Sequence, residues 1–486
     1  MKFKNTQIAG LLLFLPFFSC QQKVVKKEKP NVLFLIIDDL NDWSKLLNKD
    51  NPIKMPNLES LAQKGVLFTH AYCSSPACNP SRVSVMTGLR PHKTGVYGNK
   101  SDWRRALPDA VTIQQYFMQN GYYSAGAGKV FHHFWDGAFH DTASFNDFLM
   151  LPKTYPDSPM PEHKLNGFDW YGSLNTDWGA YPAKLEDAVD YKTASYGVKF
   201  LSEKHEKPFI LSIGIFRPHM PFFAPESYFE KYPLKDVVMP AVKSDDWDDL
   251  PSGAVTLLKD KKWFWQGMEK AMKINPDAWK EMVRAYQSCA TFADDQMGRV
   301  LDALDNSPYK DNTIIVLWSD NGFHLGEKQH IEKFALWEKT THIPLIFVSP
   351  GQIKQGLTID KPVDLTSIYP TLVELSGLKP KAGLDGKSLV PLILNPATSM
   401  PPALMTYMKG NHAIRTERWR YIQYADKTEE LYDHNNDPNE WYNLAGDPQY
   451  KSVIDSLKEY IPQHNADQVP DMVKPKSVIE TGYKPK

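Results

Sequence analysis

Residues 31–37, Asn-Val-Leu-Phe-Leu-Ile-Ile, run apolar with almost no interruption into the pair Asp38-Asp39. A strand with one wet face alternates apolar and polar residues. An unbroken run needs protein on both faces, as a strand inside a parallel sheet has. Further segments repeat the theme. Tyr122 to Ala127, Phe209 to Ile215, Thr313 to Trp318 and Pro344 to Val348 read as strands. Asn57 to Lys64 and Thr112 to Asn120, each stopped by a glycine, read as helices, as does the long stretch Trp279 to Leu304 with apolar residues at helical spacing. Such alternation predicts an α/β domain with a mostly parallel central sheet flanked by helices.

Ligands of such sheets collect at the carboxyl ends of the strands. Four of the predicted strands end in chemically equipped segments: Asp38-Asp39, Gly128-Lys129, Arg217-Pro218-His219 and Ser319-Asp320-Asn321. Their coincidence argues for one shared site. Between them, 134–192 and 245–262 read as long loops shaping a cleft. From about Met400 the texture changes to short strand-like pieces, Ala403 to Met408, Ala413 to Thr416, Trp419 to Tyr424 and Glu430 to Tyr432, with a helix near Tyr450 to Tyr460. This predicts a smaller antiparallel α+β subdomain over 400–486, beside a catalytic domain over 31–399.

The amino terminus reads differently. Lys2 and Lys4 precede an apolar run from Ile8 to Phe18, too short to span a membrane, and Ser19-Cys20 closes it. Residues 1–20 therefore read as a signal peptide of lipoprotein type with Cys20 lipidated, or as a plain secretion signal. Residues 21–30 form a polar tether. The protein is expected in the periplasm or cell envelope, or secreted, with membrane attachment only through that lipid. A net charge of −1 provides no field for nucleic acid, so anion recognition must come from a local cluster. Cys73, Cys78 and Cys289 are too few for a disulfide framework, with a Cys73–Cys289 bridge as the one open pairing.

Cys78-Asn-Pro-Ser-Arg82 is the densest motif. It places a cysteine just before a short helix that Asn79 caps, Pro80 starts and Gly88 ends. The helix start favours an anion, and Arg82 adds a fixed positive charge. Asp38, Asp39, Asp320 and Asn321 offer oxygen ligands for a hard cation, although Asp38-Asp39 alone reads equally well as a cap or turn. Lys129, His132, His219 and Lys333 are the candidate cations and proton carriers. Trp103, Arg104 and Arg105 read as a sugar-stacking aromatic with carboxylate-binding arginines, the competing reading being a solvated loop. Arg217 joins them as a substrate contact, though it and Lys328 also read as solvated charges.

These residues carry a resemblance. The chain resembles a type I sulfatase of the alkaline-phosphatase superfamily over Asn31 to Asp447. Cys78-Asn-Pro-Ser-Arg82 is similar to the family's Cys-x-Pro-Ser-Arg signature, and Thr87-Gly88-Leu89-Arg90 resembles its Thr-Gly-Arg continuation with Leu89 inserted. The iduronate-2-sulfatase-like branch is matched by Asn31 to Leu40, Gly128 to His132, Arg217 to Phe222, Trp318 to Gly322, Gly326-Glu327 leading to Lys333, and His342 to Phe347. Asn321 stands where that branch usually has histidine. The resemblance implies that a formylglycine-generating or anaerobic sulfatase-maturating enzyme oxidises Cys78 to formylglycine, whose hydrate attacks the sulfur of a sulfate ester. It further implies that one Ca²⁺ is held by Asp38, Asp39, Asp320, Asn321 and the modified Cys78. Arg82, Lys129, His132 and Lys333 would hold the hydroxyls and the sulfate, and His219 or Lys333 would protonate the leaving alcohol. The implied substrate is a sulfated polysaccharide or oligosaccharide, either a glycosaminoglycan-like uronate sulfate or an algal polysaccharide such as ulvan or carrageenan. Two rivals are a phospho- or phosphonate monoester hydrolase of the same superfamily and a non-catalytic sulfated-glycan-binding lipoprotein. The intact signature argues against the first, and the filled constellation argues against the second.

Overall fold

A computed structural model describes residues 1, 28–132, 140–149 and 160–473. The signal segment, Cys20 and most of the tether lie outside the described residues. The central sheet is built from β1 (Asn31–Asp38), β2 (Val66–Tyr72), β3 (Tyr123–Gly128), β4 (Asp147–Leu149), β5 (Phe209–Pro218), β6 (Thr313–Ser319), β7 (His342–Val348), β8 (Leu357–Ile359) and β9 (Val363–Asp364). Its order is β8-β2-β7-β6-β1-β5-β3-β4, with β9 also on β2. Only β7 runs antiparallel, pairing so with β2 and β6.

The opening run shows why such a strand must be apolar throughout. Leu33, Leu35 and Ile37 enter one core, and Val32, Phe34 and Ile36 enter the core on the other face. β1 pairs in parallel with β5 and β6, Leu35 standing opposite Ile213 and Leu317. Its register shifts after Ile37, so that Asp38 faces Pro218. A bulge at a strand's end re-aims the side chains that follow. The carboxyl ends of β6, β1, β5 and β3 thus lie side by side, as the sequence predicts.

The helices used below are α1 (Pro56–Gln63), α2 (Cys78–Thr87), α3 (Ile113–Gln119), α4 (Val189–Ser202), α5 (Lys262–Ile274), α6 (Ala278–Asp305), α7 (Ile368–Leu375) and α8 (Lys451–Lys458). Two stretches expected to be loops contain helix. α4 begins inside the first, and a short helix, Ser252–Leu258, lies in the second. α5 was not anticipated, although Phe264, Gly267, Met268 and Ala271 are its buried face at helical spacing. Residue 267 is glycine because a Cβ there would stand 2.2 Å from the Tyr171 ring.

After the main sheet, β10 (Ala403–Thr406), β11 (His412–Arg415), β12 (Trp419–Gln423) and β13 (Glu429–Asp433) form an antiparallel meander. One face packs Ile414, Tyr421 and Leu431 on Ile454 and Leu457 of α8. The other packs Met405, Ala413, Ile422 and Tyr432 against Tyr72, Leu336 and Trp337 of the main body. Cys73, Cys78 and Cys289 are all buried, and no disulfide joins Cys73 to Cys289.

Candidate active site

Cys78 is the first residue of α2, not the residue before it. The helix is capped at Ala77, with no side-chain cap, and ends at Gly88 in the left-handed region. Asn79 is not the cap: its Nδ2 donates to Gly98 O and Ser101 O, and its backbone N–H is taken by Asn99 Oδ1. Arg90, after the inserted Leu89, is a framework residue. Its guanidinium pairs with Asp364 at 2.8 Å, and its N–H donates to Asp385.

Around the Cys78 Sγ stand Lys333 Nζ at 2.9 Å, Lys129 Nζ at 3.5 Å and Asp39 Oδ1 at 3.8 Å. The Lys333 ammonium also donates to both oxygens of Asp39, at 2.7 and 2.8 Å. Lys129 pairs with Asp38 Oδ2. Asn321 Nδ2 donates to Asp39 Oδ1 at 2.7 Å, and its Oδ1 is buried with no hydrogen-bond partner among the described residues. One ligand atom each from Asp38, Asp39, Cys78 and Asp320 falls within 4.8 Å of the others.

The backbone explains how these groups meet. Asp39 has φ 60, and Tyr286 of α6 holds that turn: its hydroxyl donates to Asp39 O at 2.7 Å and accepts from Asn41 N at 2.9 Å. Ser319 Oγ accepts from Leu40 N at 3.0 Å and donates to Asn321 O at 3.0 Å, tying the ends of β1 and β6. Gly128, at φ 74, lies against β5 so closely that a Cβ would stand 2.1 Å from Gly214 O. That approach brings Lys129 into the cluster. Tyr286 carried no signal in the sequence, and Ser319 was read only as part of the Ser319-Asp320-Asn321 strand end, without this role.

Arg82 is completely buried, and its guanidinium is taken up by partners within the protein. Nε donates to Asp320 at 2.7 Å, Nη2 to Asp38 at 3.0 Å, and Nη1 to the carbonyls of Lys129 and Val130. It clamps three strand ends together. His219 sits at the mouth, its side chain 21% exposed, with Nε2 3.7 Å from Asp39 Oδ2. Its Nδ1 lies 2.6 Å from Met220 O, so Nδ1 carries the proton in the neutral ring and Nε2 faces the cluster. Half-buried His132 lies in the field of Lys129 and Asp38.

Three carboxylates face three side-chain cations here. Burial acts to raise every carboxyl. At Asp38, Lys129 and Arg82 outweigh it and hold the group well below the usual range. At Asp39 burial prevails, helped by the Asp38 charge. Asp320 is pushed up to about 7, by burial first and against Arg82. Burial and the Asp38 charge push the Cys78 thiol up, so the unmodified sulfur stays protonated. Burial, then Lys333 and Lys129, lower His219, while Asp39 and Cys78 overcome burial to raise Lys333. The residues suit a hard cation: an all-oxygen donor set, an orphaned buried carbonyl oxygen at Asn321, and carboxylates too crowded to ionise together without added positive charge.

Of the four expected substrate contacts, three have their side chains engaged within the protein. Trp103 is buried and stacked on Phe131 at 5.6 Å. Arg104 covers that ring and makes a two-pronged pair with Asp141 at 3.0 and 2.6 Å. Arg105 is exposed and turned to the Asp102 cap only through its backbone N–H. Arg217 is buried, not solvated; its Nε donates to Phe223 O at 2.6 Å, bracing the turn that carries His219. Lys328 is likewise buried, paired with Asp246 at 3.0 Å.

The segment carrying Lys333 is fastened from the antiparallel subdomain. Arg420 donates to Leu336 O at 2.6 Å, Trp337 Nε1 to Glu430 at 2.8 Å, and Glu338 N to Glu440 at 2.9 Å. Glu338 pairs with Arg415 at 3.1 Å and with Arg420, whose Nε lies 2.7 Å from Glu440 outside hydrogen-bonding angle. Burial raises the Glu338 carboxyl, but Arg415 and Arg420 prevail and hold it well below its ordinary 4.5. A depressed native pKa adds stability that is present above the unfolded value and lost as pH falls through the native one. Arg420→Met is therefore expected to cost about 3–5 kcal/mol and to begin acid unfolding at a higher pH, read from denaturant and pH titrations of the folded signal.

Comparison with known proteins places this geometry in a family context. A family model described as Sulfatase matches residues 30–378, and one described as N-sulphoglucosamine sulphohydrolase, C-terminal, matches 326–467. A protein of Formosa agariphila named Sulfatase is 41% identical, covering 94% of this chain and 92% of its own. Human iduronate 2-sulfatase is 29% identical, covering 72% and 69%. Among solved structures, a protein bound to its substrate D-glucosamine-2-N,6-O-disulfate superposes with a TM-score of 0.69 at 21% identity, over 89% of this chain and 97% of that one. A phosphonate monoester hydrolase of Agrobacterium radiobacter gives 0.70 at 23%, over 89% and 94%. At such identities these likenesses speak to the fold alone.

Proposed function

The chain belongs to the sulfatase family and is a sulfuric ester hydrolase, and from that premise we propose that it desulfates an anionic carbohydrate through a formylglycine derived from Cys78. One observation carries the reading. The Cys78 sulfur sits 2.9 Å from Lys333 and 3.5 Å from Lys129, at the edge of a cluster of three carboxylates from the ends of β1 and β6. A thiol kept protonated by burial is a poor nucleophile, so the encoded cysteine serves better as a precursor. Formylglycine, made by a maturating enzyme, supplies as its hydrate the oxygen nucleophile and a second hydroxyl for releasing sulfate.

Calcium, where bound, would be held by Asp38, Asp39, Asp320 and Asn321 and would neutralise charge on the sulfate oxygens. Arg82 keeps two of those carboxylates in place. Lys129 and Lys333, the latter ammonium favoured by Asp39, hold oxygens where charge grows. His219, more exposed than Lys333 (21% against 5%), faces the departing alcohol and is assigned its protonation, once its Nε2, bare in the neutral ring, has taken up a proton. His132 is assigned to the hydroxyls at the depth of the site. The lipoprotein-type leader supports export to the cell envelope.

Chelation with EGTA is expected to lower both turnover and the thermal midpoint, and added Ca²⁺ to restore both. Full activity and an unchanged midpoint after metal removal, checked by elemental analysis, would count against the cation. His219→Gln is expected to reduce kcat about 100-fold on a sugar sulfate but far less on 4-nitrophenyl sulfate, whose leaving group needs no proton. Equal losses would shift the role to Lys333. A panel of sulfated sugars assayed beside a phosphonate monoester tests the reaction class, and faster phosphonate turnover would overturn the reading.

A further inference from the structure

Lys333 is flanked on both sides by residues in the left-handed region. Glu332 has φ 137 and Phe334 φ 74, and Met408 across from them has φ 55. Non-glycine residues so held cost about 1–3 kcal/mol each and persist where surrounding structure fixes them, often at ligand clamps. What surrounds them is partly exposed at Phe334, Lys261 and Glu332 and buried at Tyr407. Phe334 is half-buried, and its ring lies between two ammoniums: Lys333 Nζ 5.9 Å from the centroid and Lys261 Nζ 4.0 Å from it. Tyr407 of the antiparallel subdomain stacks on the ring at 5.7 Å. Lys261 Nζ also stands 3.4 Å from Glu332 Oε2, the two side chains being 26% and 23% exposed.

Glu332 Oε2 is itself buried and has no hydrogen-bond partner among the described residues, so beside the Lys261 ammonium an acceptor is left unused. The group does have what a sugar ring needs: an aromatic surface, a carboxylate for hydroxyls and a cation for an anionic substituent. It begins one residue from the lysine that touches Cys78. None of its residues is among those whose ligand atoms meet in the carboxylate cluster.

Resting on the reading that the Cys78 cluster cleaves sulfate esters, we propose that Lys261, Glu332, Phe334 and Tyr407 form the leaving-group subsite. Lys261 there reads a second anionic substituent on the sugar, a carboxylate or a further sulfate. Phe334, backed by the buried Tyr407, supports the ring, Glu332 accepts from hydroxyls, and the subsite spans the junction of the main body and the antiparallel subdomain. The enzyme is thereby tuned to sugars carrying two anionic groups over neutral sugars with a single sulfate.

The test compares wild type with Lys261→Met and Lys261→Glu on a neutral hexose monosulfate, a uronate monosulfate and a disulfated hexosamine. Lys261→Met keeps the apolar stem over Phe334. The ratio of kcat/KM for a doubly anionic ester to that for the neutral ester is expected to fall about tenfold or more in Lys261→Met, further in Lys261→Glu, and mainly through KM. A fall confined to the uronate, or to the disulfated sugar, names the anion that Lys261 reads. Wild-type hydrolysis of all three with unchanged ratios in both variants would overturn the subsite alone. A wild-type enzyme inert toward every sulfate ester would overturn the proposed function, and the subsite with it.

Discussion

Cys78→Ala is expected to lower sulfate-ester hydrolysis by about 10⁴-fold or more, because the variant lacks the atom from which the nucleophile is made. The fold should survive. Cys78 is buried on the first turn of α2, and removing one sulfur leaves a small cavity costing roughly 1–2 kcal/mol. Lys333 keeps both oxygens of Asp39, so the cations are not set adrift. Steady-state rates on a sulfated sugar, beside a thermal melt, separate lost chemistry from lost structure. Turnover within tenfold of wild type in a folded variant would contradict the assignment.

Arg82→Met is expected to do something different, lowering activity and stability together. The guanidinium is the shared partner of Asp38, at 3.0 Å, and Asp320, at 2.7 Å, all three with no exposed side-chain surface. Leaving two buried carboxylates without it costs about 3–5 kcal/mol. Asp320, already pushed up to about 7, would rise further and bind a cation more weakly. Arg82→Lys would rescue little, since a single ammonium cannot reach two carboxylates and two carbonyls in a fixed fork. Denaturant unfolding and calcium calorimetry provide the readouts. A Met variant with native stability and native calcium affinity would show that Arg82 is not the clamp.

The central sheet was legible because its physics is local. A continuous apolar run feeding two cores leaves few alternatives, and Val32 to Ile37 divides between those cores as the pattern requires. The convergence of Asp38, Lys129, His219 and Asp320 followed from the strand ends. The roles of the arginines did not. Sequence says that a residue is charged, but topology decides whether it reaches a substrate or is enclosed. Arg82 and Arg217 proved to be buried and Arg104 partly so, each fixing a carboxylate or a carbonyl. Asn79 has the composition of a helix cap, yet the helix starts one residue earlier and its amide serves the loop at Gly98 and Ser101. The fastening of Lys333 by Arg420, Glu430 and Glu440 joins residues about a hundred positions apart, which no local pattern reports.

The account turns on what Cys78 becomes. Protein purified from a host able to mature it, with verified turnover of a sulfate ester, should be digested and the peptide containing Cys78 weighed. Conversion of the thiol to an aldehyde predicts a mass about 18 Da below that of the encoded peptide, with loss of thiol alkylation at that residue. An active preparation in which the peptide carries an unmodified, alkylatable cysteine would contradict the account.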